Sequence, residues 1–330
     1  MQEKIKVAVV GATGYTGAEL VRLLVNHPKA ELTQVISRSK AGQRVDQVLN
    51  DLAGQIDLEF SSMVTEGADL WFLALPHGTS RTFLEEHKAL ASTVRIIDLS
   101  NEFRHKDRSQ WHNRSFVFGM PELQKNAIET ADAIANPGCF ATAITLGLAP
   151  LYHNDHLDFS TPVHINATTG STGAGASLSE TAHFSYRSNN LSWYKAFTHQ
   201  HLTEIGEQLT QQADTLPKLY FLPHRGDFTR GIFATAYLEY PDSLEQAYDS
   251  YQHFYENALF TQVVHNPIAL KQVVGTNYCH IQLHKHENTL LITSAIDNLL
   301  KGAAGQAIEN MNLMYGLDQR LGLQLKSIVY

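Results

Sequence analysis

The 330-residue chain has two cysteines, and one of them, Cys139, directly follows Asn136-Pro137-Gly138 and directly precedes the apolar run "FATAITLGL". A turn followed by a helix start surrounds a thiol with unpaired N–H groups and the positive end of a helix dipole. Both favour a thiolate over the usual thiol and can cradle a developing oxyanion, which suits attack on an activated acyl group. The same position also suits an inert packed cysteine, because thiols outside disulfides are among the most buried side chains. A second chemical pattern is "HQHLTEI", where His199 and His201 supply groups that exchange protons near neutral pH. With 17 histidines in the chain, any one of them is more commonly a surface or core residue. The pair could instead ligate a metal, but no cysteine or carboxylate set with zinc spacing accompanies it, so no metal is expected.

A third pattern is "GATGYTG", which places Gly11, Gly14 and Gly17 between the β-branched run Lys6–Val10 and the helical periodicity of Ala18–Val25. A strand, a tight glycine turn and a helix start aim backbone N–H groups at a pyrophosphate, so this is a candidate dinucleotide site; a purely structural turn is the alternative. Enzymes that use NAD carry an acid at the end of the second strand to bind the ribose 2′-OH. That position here falls in "VISRSKAG", where Ser37, Arg38 and Ser39 stand instead, which favours NADP(H) over NAD(H). Arg38 as a plain solvated residue is the alternative.

The elements needed to position these residues are legible. Strand candidates at Leu32–Ile36, Leu70–Leu75 and Arg95–Leu99 alternate with helical stretches such as Arg81–Lys88, the rhythm of a doubly wound parallel sheet. Beyond Leu151 come longer strands, "VHINATTG", "KLYFLP", "GIFATAYLEY" and the pair "YCHIQLHK" and "TLLITSAI", with helices near Leu202–Gln212 and Leu244–Glu256. The expected fold is α/β: an N-terminal Rossmann-type domain of residues 1–140 with 298–330, and an α+β domain of residues 141–297 carrying a mainly antiparallel sheet. The balance of 25 basic and 33 acidic residues, a formal −8, leaves no basic cluster for nucleic acid. No apolar run is long enough to span a membrane and the first residues lack a cleavable leader pattern, so a cytoplasmic protein is expected. In that reducing compartment two distant cysteines read as thiols rather than a bridge.

The blocks "GATGYTGAEL", "IDLSNEFR" (Ile97–Arg104), "FGMPEL" (Phe118–Leu123), "NPGCFAT" (Asn136–Thr142), "TGSTGAG" (Thr169–Gly175), "HQHLTEI" (His199–Ile205), "RGIFAT" (Arg230–Thr235) and "DNLLKGAAGQAIENMN" (Asp297–Asn312) occur in one order across nearly the whole chain. In this they resemble the N-acyl-γ-glutamyl-phosphate reductases, relatives of aspartate-semialdehyde dehydrogenase. The resemblance implies a two-step reaction of arginine biosynthesis. A cysteine thiolate displaces phosphate from an acyl phosphate, and NADPH reduces the thioester to an aldehyde, a coherent pairing of nucleophile and hydride donor. It implies Cys139 as nucleophile and His199 as general acid or base, with His201 second. It further implies Arg104 for the phosphate, Asn136, Glu204, His201 and Arg230 around the substrate, and Thr13, Tyr15, Thr16, Gly173 and Asn298 beside the cofactor. A homodimer or homotetramer is implied as well.

Gln200, Thr203 and Phe140-Ala141 depart from the family pattern, which has arginine, proline and Tyr-Pro there. A positive charge lost near the substrate leaves an N-succinyl group as open as an N-acetyl group. Aspartyl or aminoadipyl phosphate as substrate, or a silent NADPH-binding sensor with Cys139 merely buried, are the remaining alternatives. Surface salt bridges are an alternative for Arg104 and Arg230.

Overall fold

The computed structural model describes residues 4–152, 160–210 and 218–329. Contacts divide the chain into two compact units, Met1–Pro137 with Ala303–Gln324 and Gly138–Gly302 with Leu325–Tyr330. Relative to the boundaries expected from sequence, residues 138–140, the segment 298–302 and the tail from Leu325 group with the second unit. The local reason is visible at Asn298, whose Oδ1 accepts from Gly231 N at 2.7 Å, and at Gly302, which packs on Cys139.

In the first unit, β1 (Ile5–Val10), β2 (Ala30–Ile36), β3 (Phe60–Ser61), β4 (Leu70–Leu73), β5 (Arg95–Asp98), β6 (Val117–Phe118) and β7 (Ala133–Ala135) form a sheet ordered β3-β2-β1-β4-β5-β7-β6. Every neighbouring pair is parallel. The central strands are buried along nearly their whole length, as expected for a sheet with helices on both faces. The helices α1 (Tyr15–Val25), α2 (Ser80–Glu86) and α3 (Pro121–Thr130) alternate with the strands. A late helix, Gly305–Met314, packs against α1 and α3 and is buried at every position. It is tied down by Asn312, which pairs with His27 at 3.1 Å, and by Asn310, which donates to Gly119 O at 2.9 Å.

The second unit starts with α4 (Cys139–Tyr152), followed by β8 (Val163–Thr169), β9 (Ser192–Trp193), α5 (His201–Leu209), β10 (Leu219–Arg225), β11 (Ile232–Glu239), α6 (Leu244–Phe254), β12 (Thr261–Val263), β13 (Cys279–His286) and β14 (Thr289–Ile296). The helix expected over Leu202–Gln212 is thus observed as α5, and its last two expected positions, Gln211 and Gln212, lie outside the described residues. The sheet is ordered β9-β10-β8-β11-β14-β13-β12, with β8–β10 and β12–β13 parallel and the other pairs antiparallel. Strict alternation of buried and half-exposed residues in β8 and β11 gives the sheet one apolar face. Helices α4 and α6 cover it, α4 lying on β11 and β14. The opposite face is aromatic and polar: His164 stacks between Tyr220 and Tyr237, ring centroids 5.3 and 5.1 Å apart.

Candidate active site

The nucleophile candidate sits at the first position of α4, and all its other positions, Phe140–Tyr152, are buried; Cys139 alone is part-exposed. The helix forms because its sequence is apolar all round, and it starts there because Pro137-Gly138 cannot extend it backwards. The Gly138 N–H donates to Glu204 Oε1 at 2.7 Å, so a carboxylate only 1 % exposed on α5 fixes the turn that carries the thiol. Gly302 lies in the single π-helical turn Leu300–Ala304, and a Cβ there would stand 2.8 Å from the Cys139 Cβ. Only glycine allows that approach, and such turns recur at functional sites. Cys279 is fully buried in β13 and contacts Ser294 Oγ at 3.5 Å; the two cysteines form no disulfide.

His199 stands one residue before α5's N-cap, in an aromatic nest. Its ring lies 5.4 Å from Phe140, 5.4 Å from Phe221, 5.7 Å from Tyr194 and 4.7 Å from His201, centroid to centroid. Burial, with the charges of Lys195 and Arg225 adding to it, pushes its pKa down to about 4. The imidazole is therefore neutral at pH 7. The His201 N–H donates to its Nδ1 at 3.2 Å. A backbone N–H only donates, so Nδ1 holds a lone pair and the single proton resides on Nε2. The site thus offers an Nε2–H donor suited to a developing oxyanion. Tyr194, pushed up to about 12 mainly by burial, also keeps its proton. Among the described residues no cluster of three His, Cys, Asp or Glu could hold a metal ion.

The two arginines singled out from sequence both bond to the scaffold. Arg104, in the first unit and 5 % exposed, donates from Nε to Asn136 O and from Nη2 to Leu99 O, each at 2.8 Å. Asn136 donates to Ala303 O at 3.1 Å and accepts from Asn310 Nδ2 at 3.0 Å. Beside them Asp98, wholly buried, accepts from Ser80 Oγ and Ser100 Oγ, each at 2.6 Å. Desolvation raises its pKa to about 6 against those bonds and the Arg104 charge. Arg230, in the second unit, is clamped to Asp297 by Nε at 3.1 Å and Nη2 at 3.1 Å. Asp297 also accepts from the Gly275 and Leu299 amides, both at 2.8 Å, and so organises the segment leading to Gly302. Asn298 donates to Thr172 Oγ1 at 3.0 Å, beside Gly173 in the turn Ser171–Ala174.

The glycine turn of the first unit has the form a dinucleotide needs. Gly11 adopts φ +83°, and a side chain at Gly17 would drive into the Gly11 carbonyl, so α1 meets β1 at glycine-only distance. Gly14 caps α1 without a side-chain acceptor, while Tyr15 and Thr16 open the helix. The first-turn N–H groups are left to a ligand. The hydroxyls of Thr13, Ser37 and Ser39 line up at the end of β2, with 3.3 and 3.4 Å between neighbours. Arg38 is 74 % exposed there and pairs with Glu86 at 3.1 Å. These donors fit a phosphorylated ribose, and no acid follows β2 to bind a free 2′-OH.

Sequence reasoning passed over Tyr194, Arg225, Gly302 and Asp297. Arg225 did carry a signal: on β10 it shares parity with Phe221 and Pro223, the buried positions, so it faces the helix side with His199.

Comparison with known proteins agrees with this architecture. Residues 6–131 match the semialdehyde dehydrogenase, NAD binding domain, and residues 139–298 match the semialdehyde dehydrogenase, dimerisation domain. The chain is 52 % identical over 323 residues to the N-acetyl-gamma-glutamyl-phosphate reductase of Flavobacterium johnsoniae, covering 98 % of each chain. It is 49 % identical over 324 residues to that of Christiangramia forsetii, covering 98 % of this chain and 99 % of the relative. Among solved structures it resembles aspartate semialdehyde dehydrogenase II from Vibrio cholerae, with TM-score 0.73 at 15 % identity, over 95 % of this chain and 99 % of that one.

Proposed function

Because the chain belongs to the N-acetyl-gamma-glutamyl-phosphate reductase family, we propose that it reduces an N-acylated glutamyl 5-phosphate, N-acetyl as in its relatives' names, to the 5-semialdehyde with release of phosphate. The observation that carries this reading is Cys139, the one part-exposed residue of an otherwise buried helix, on a turn held by Glu204. The Cys139 thiolate attacks the acyl carbon, the C–O bond to phosphate breaks, and a thioester forms on Sγ. NADPH, when bound, supplies the hydride for its reduction. His199 donates a hydrogen bond from Nε2–H to the carbonyl oxygen as negative charge builds there and keeps its proton throughout, so the neutral imidazole that burial enforces stabilises the oxyanion until the adduct collapses. Collapse of the tetrahedral adduct expels the thiolate and leaves the aldehyde.

NADP(H) preference rests on Ser37, Arg38 and Ser39 after β2, with Gly11, Gly14 and Gly17 forming the pyrophosphate turn. Arg104, oriented by the Asn136 and Leu99 carbonyls, serves the substrate phosphate, and Arg230, clamped to Asp297, shapes the segment leading to Gly302. Two further points belong to this reading. The protein works in the cytoplasm, in line with two unbridged thiols; among the described residues no helix is long and apolar enough to cross a membrane. It also assembles as a homo-oligomer through the aromatic sheet face of Tyr220, Tyr237 and His164, where Tyr220 is 42 % and Tyr237 40 % exposed.

The test is phosphate-dependent reduction of NADP⁺ by N-acetyl-L-glutamate 5-semialdehyde, run beside the unacylated, aspartyl and aminoadipyl semialdehydes. Turnover confined to the acylated glutamate compound is expected. Equal turnover of the aspartyl compound, or none with any, overturns the assignment.

A further inference from the structure

We infer that Arg225 is a specificity-determining residue that binds a carboxylate of the acyl substrate beside His199; the inference rests on the reaction proposed above for the same site. Arg225 ends β10 on the face that carries Phe221, the ring against which His199 packs. Its guanidinium lies over the Tyr194 ring, 4.6 Å from the centroid, and Nη1 donates to Thr181 Oγ1 at 3.1 Å. These contacts fix the plane of the group. The Nε atom is nevertheless buried without an acceptor, and among the described residues no carboxylate lies within ion-pair distance of this guanidinium. A buried guanidinium N–H with no acceptor is costly, so its retention points to an acceptor that arrives from outside.

The surroundings narrow the chemistry. Besides burial, the charges that act on His199 are those of Lys195 and Arg225, both positive, in a chain of formal charge −8. Arg230, in the same unit, is instead clamped to Asp297. A planar group presenting Nε and Nη2 along one edge matches the two oxygens of a carboxylate. The proposed substrate has an α-carboxylate, and an N-acyl group derived from a dicarboxylic acid would add another; both present the same chemistry to Arg225.

Calorimetric titration of the full chain separates the two sources and does not require turnover. The probes are N-acetyl-L-glutamine, with the α-carboxylate only, N-succinyl-L-glutamine, with both carboxylates, 4-acetamidobutyramide, with neither, and inorganic phosphate. In Arg225→Met a loss of about 10–100-fold in affinity is expected for the carboxylate-bearing probes, with 4-acetamidobutyramide unchanged. Equal loss for the acetyl and succinyl compounds assigns the α-carboxylate, and loss confined to the succinyl compound assigns the acyl group. Arg225→Lys, which keeps the charge but not the fork, should recover part of the loss and guards against misfolding of the methionine variant. Unchanged affinity for every carboxylate, or weakened binding of phosphate alone, overturns the inference. Failure of the reaction itself would appear separately, as absent turnover in the unmodified enzyme.

Discussion

Gly302→Ala is a one-carbon change that should cripple the enzyme without removing a reacting group. The added Cβ would stand 2.8 Å from Cys139 Cβ, 3.2 Å from Cys139 Cα and 3.2 Å from Ile296 Cδ1. Carbon atoms in contact sit about 3.5–4.0 Å apart, so either the π-helical turn or the start of α4 must give by roughly 1 Å. The φ of Gly302 lies outside the left-handed region, so alanine adds no backbone penalty and the contact is the whole effect. Overpacking of this kind costs about 1–3 kcal/mol, or roughly 2–10 °C in Tm. A displacement of about 1 Å at a nucleophile lowers kcat by about 100-fold. The assay is NADPH oxidation with the acyl phosphate, beside the alkylation rate of Cys139 by iodoacetamide, a thermal melt and an NADPH titration. The expected pattern is a large loss in kcat, a changed alkylation rate, a modest drop in Tm and intact NADPH binding. Normal kcat with an unchanged melt would refute the claim that this approach holds the thiol in place.

Cys139→Ser should abolish semialdehyde formation and leave NADPH affinity unchanged, because a serine hydroxyl stays protonated where a thiol ionises; normal turnover would return Cys139 to a packing role. His199 binds protons less readily when folded than when unfolded, with a pKa of about 4 against an ordinary 6.5. Stability is therefore unaffected by this group above pH 6.5 and declines as pH falls towards 4, by up to about 3 kcal/mol. Denaturant melts of His199→Phe and the parent between pH 7 and 4 should show the parent alone losing this component; parallel pH profiles would contradict it. Arg38→Asp should weaken NADPH binding by about 10–100-fold and spare NADH, since a charge-assisted contact to the 2′-phosphate is replaced by repulsion. Equal affinities of the unmodified protein for the two cofactors, read by fluorescence titration, would remove its basis.

Much of the fold was legible because it follows from local rules. The run Lys6–Val10 ending in glycine, the alternation in "VHINATTG" and the apolar helix after Asn-Pro-Gly each specify an element within a few residues, and β1, β8 and α4 appear where those patterns stand. The C-terminal segment becomes a regular α-helix only over Gly305–Met314, because the π-helical turn Leu300–Ala304, invisible to a 3.6-residue period, precedes it. The site was less legible because its polar pairings are long-range. Arg230 meets Asp297 across 67 positions and Arg104 meets the Asn136 carbonyl across 32, and nothing local announces either pairing. Glu204 reads as a residue around the substrate, and its bond from the Gly138 amide spans 66 positions that no local pattern connects. Arg225 went unnoticed because arginine at a strand end reads as solvated.

The first unit is discontinuous, and that places a delay in its biogenesis. Its seven strands leave the ribosome early, whereas the helix Gly305–Met314, buried at every position and bonded to His27 and Gly119, is made only after the whole of Gly138–Gly302. At about 5–20 residues per second, roughly 165 intervening residues take about 10–30 s to synthesise. For that interval α1 and α3 present an unfilled apolar groove on the nascent chain, the kind of surface that holding chaperones bind. A stop codon just before Ala303 would leave the groove open for good, so the codons for Ala303–Gln324 govern whether this unit ever becomes protease-resistant.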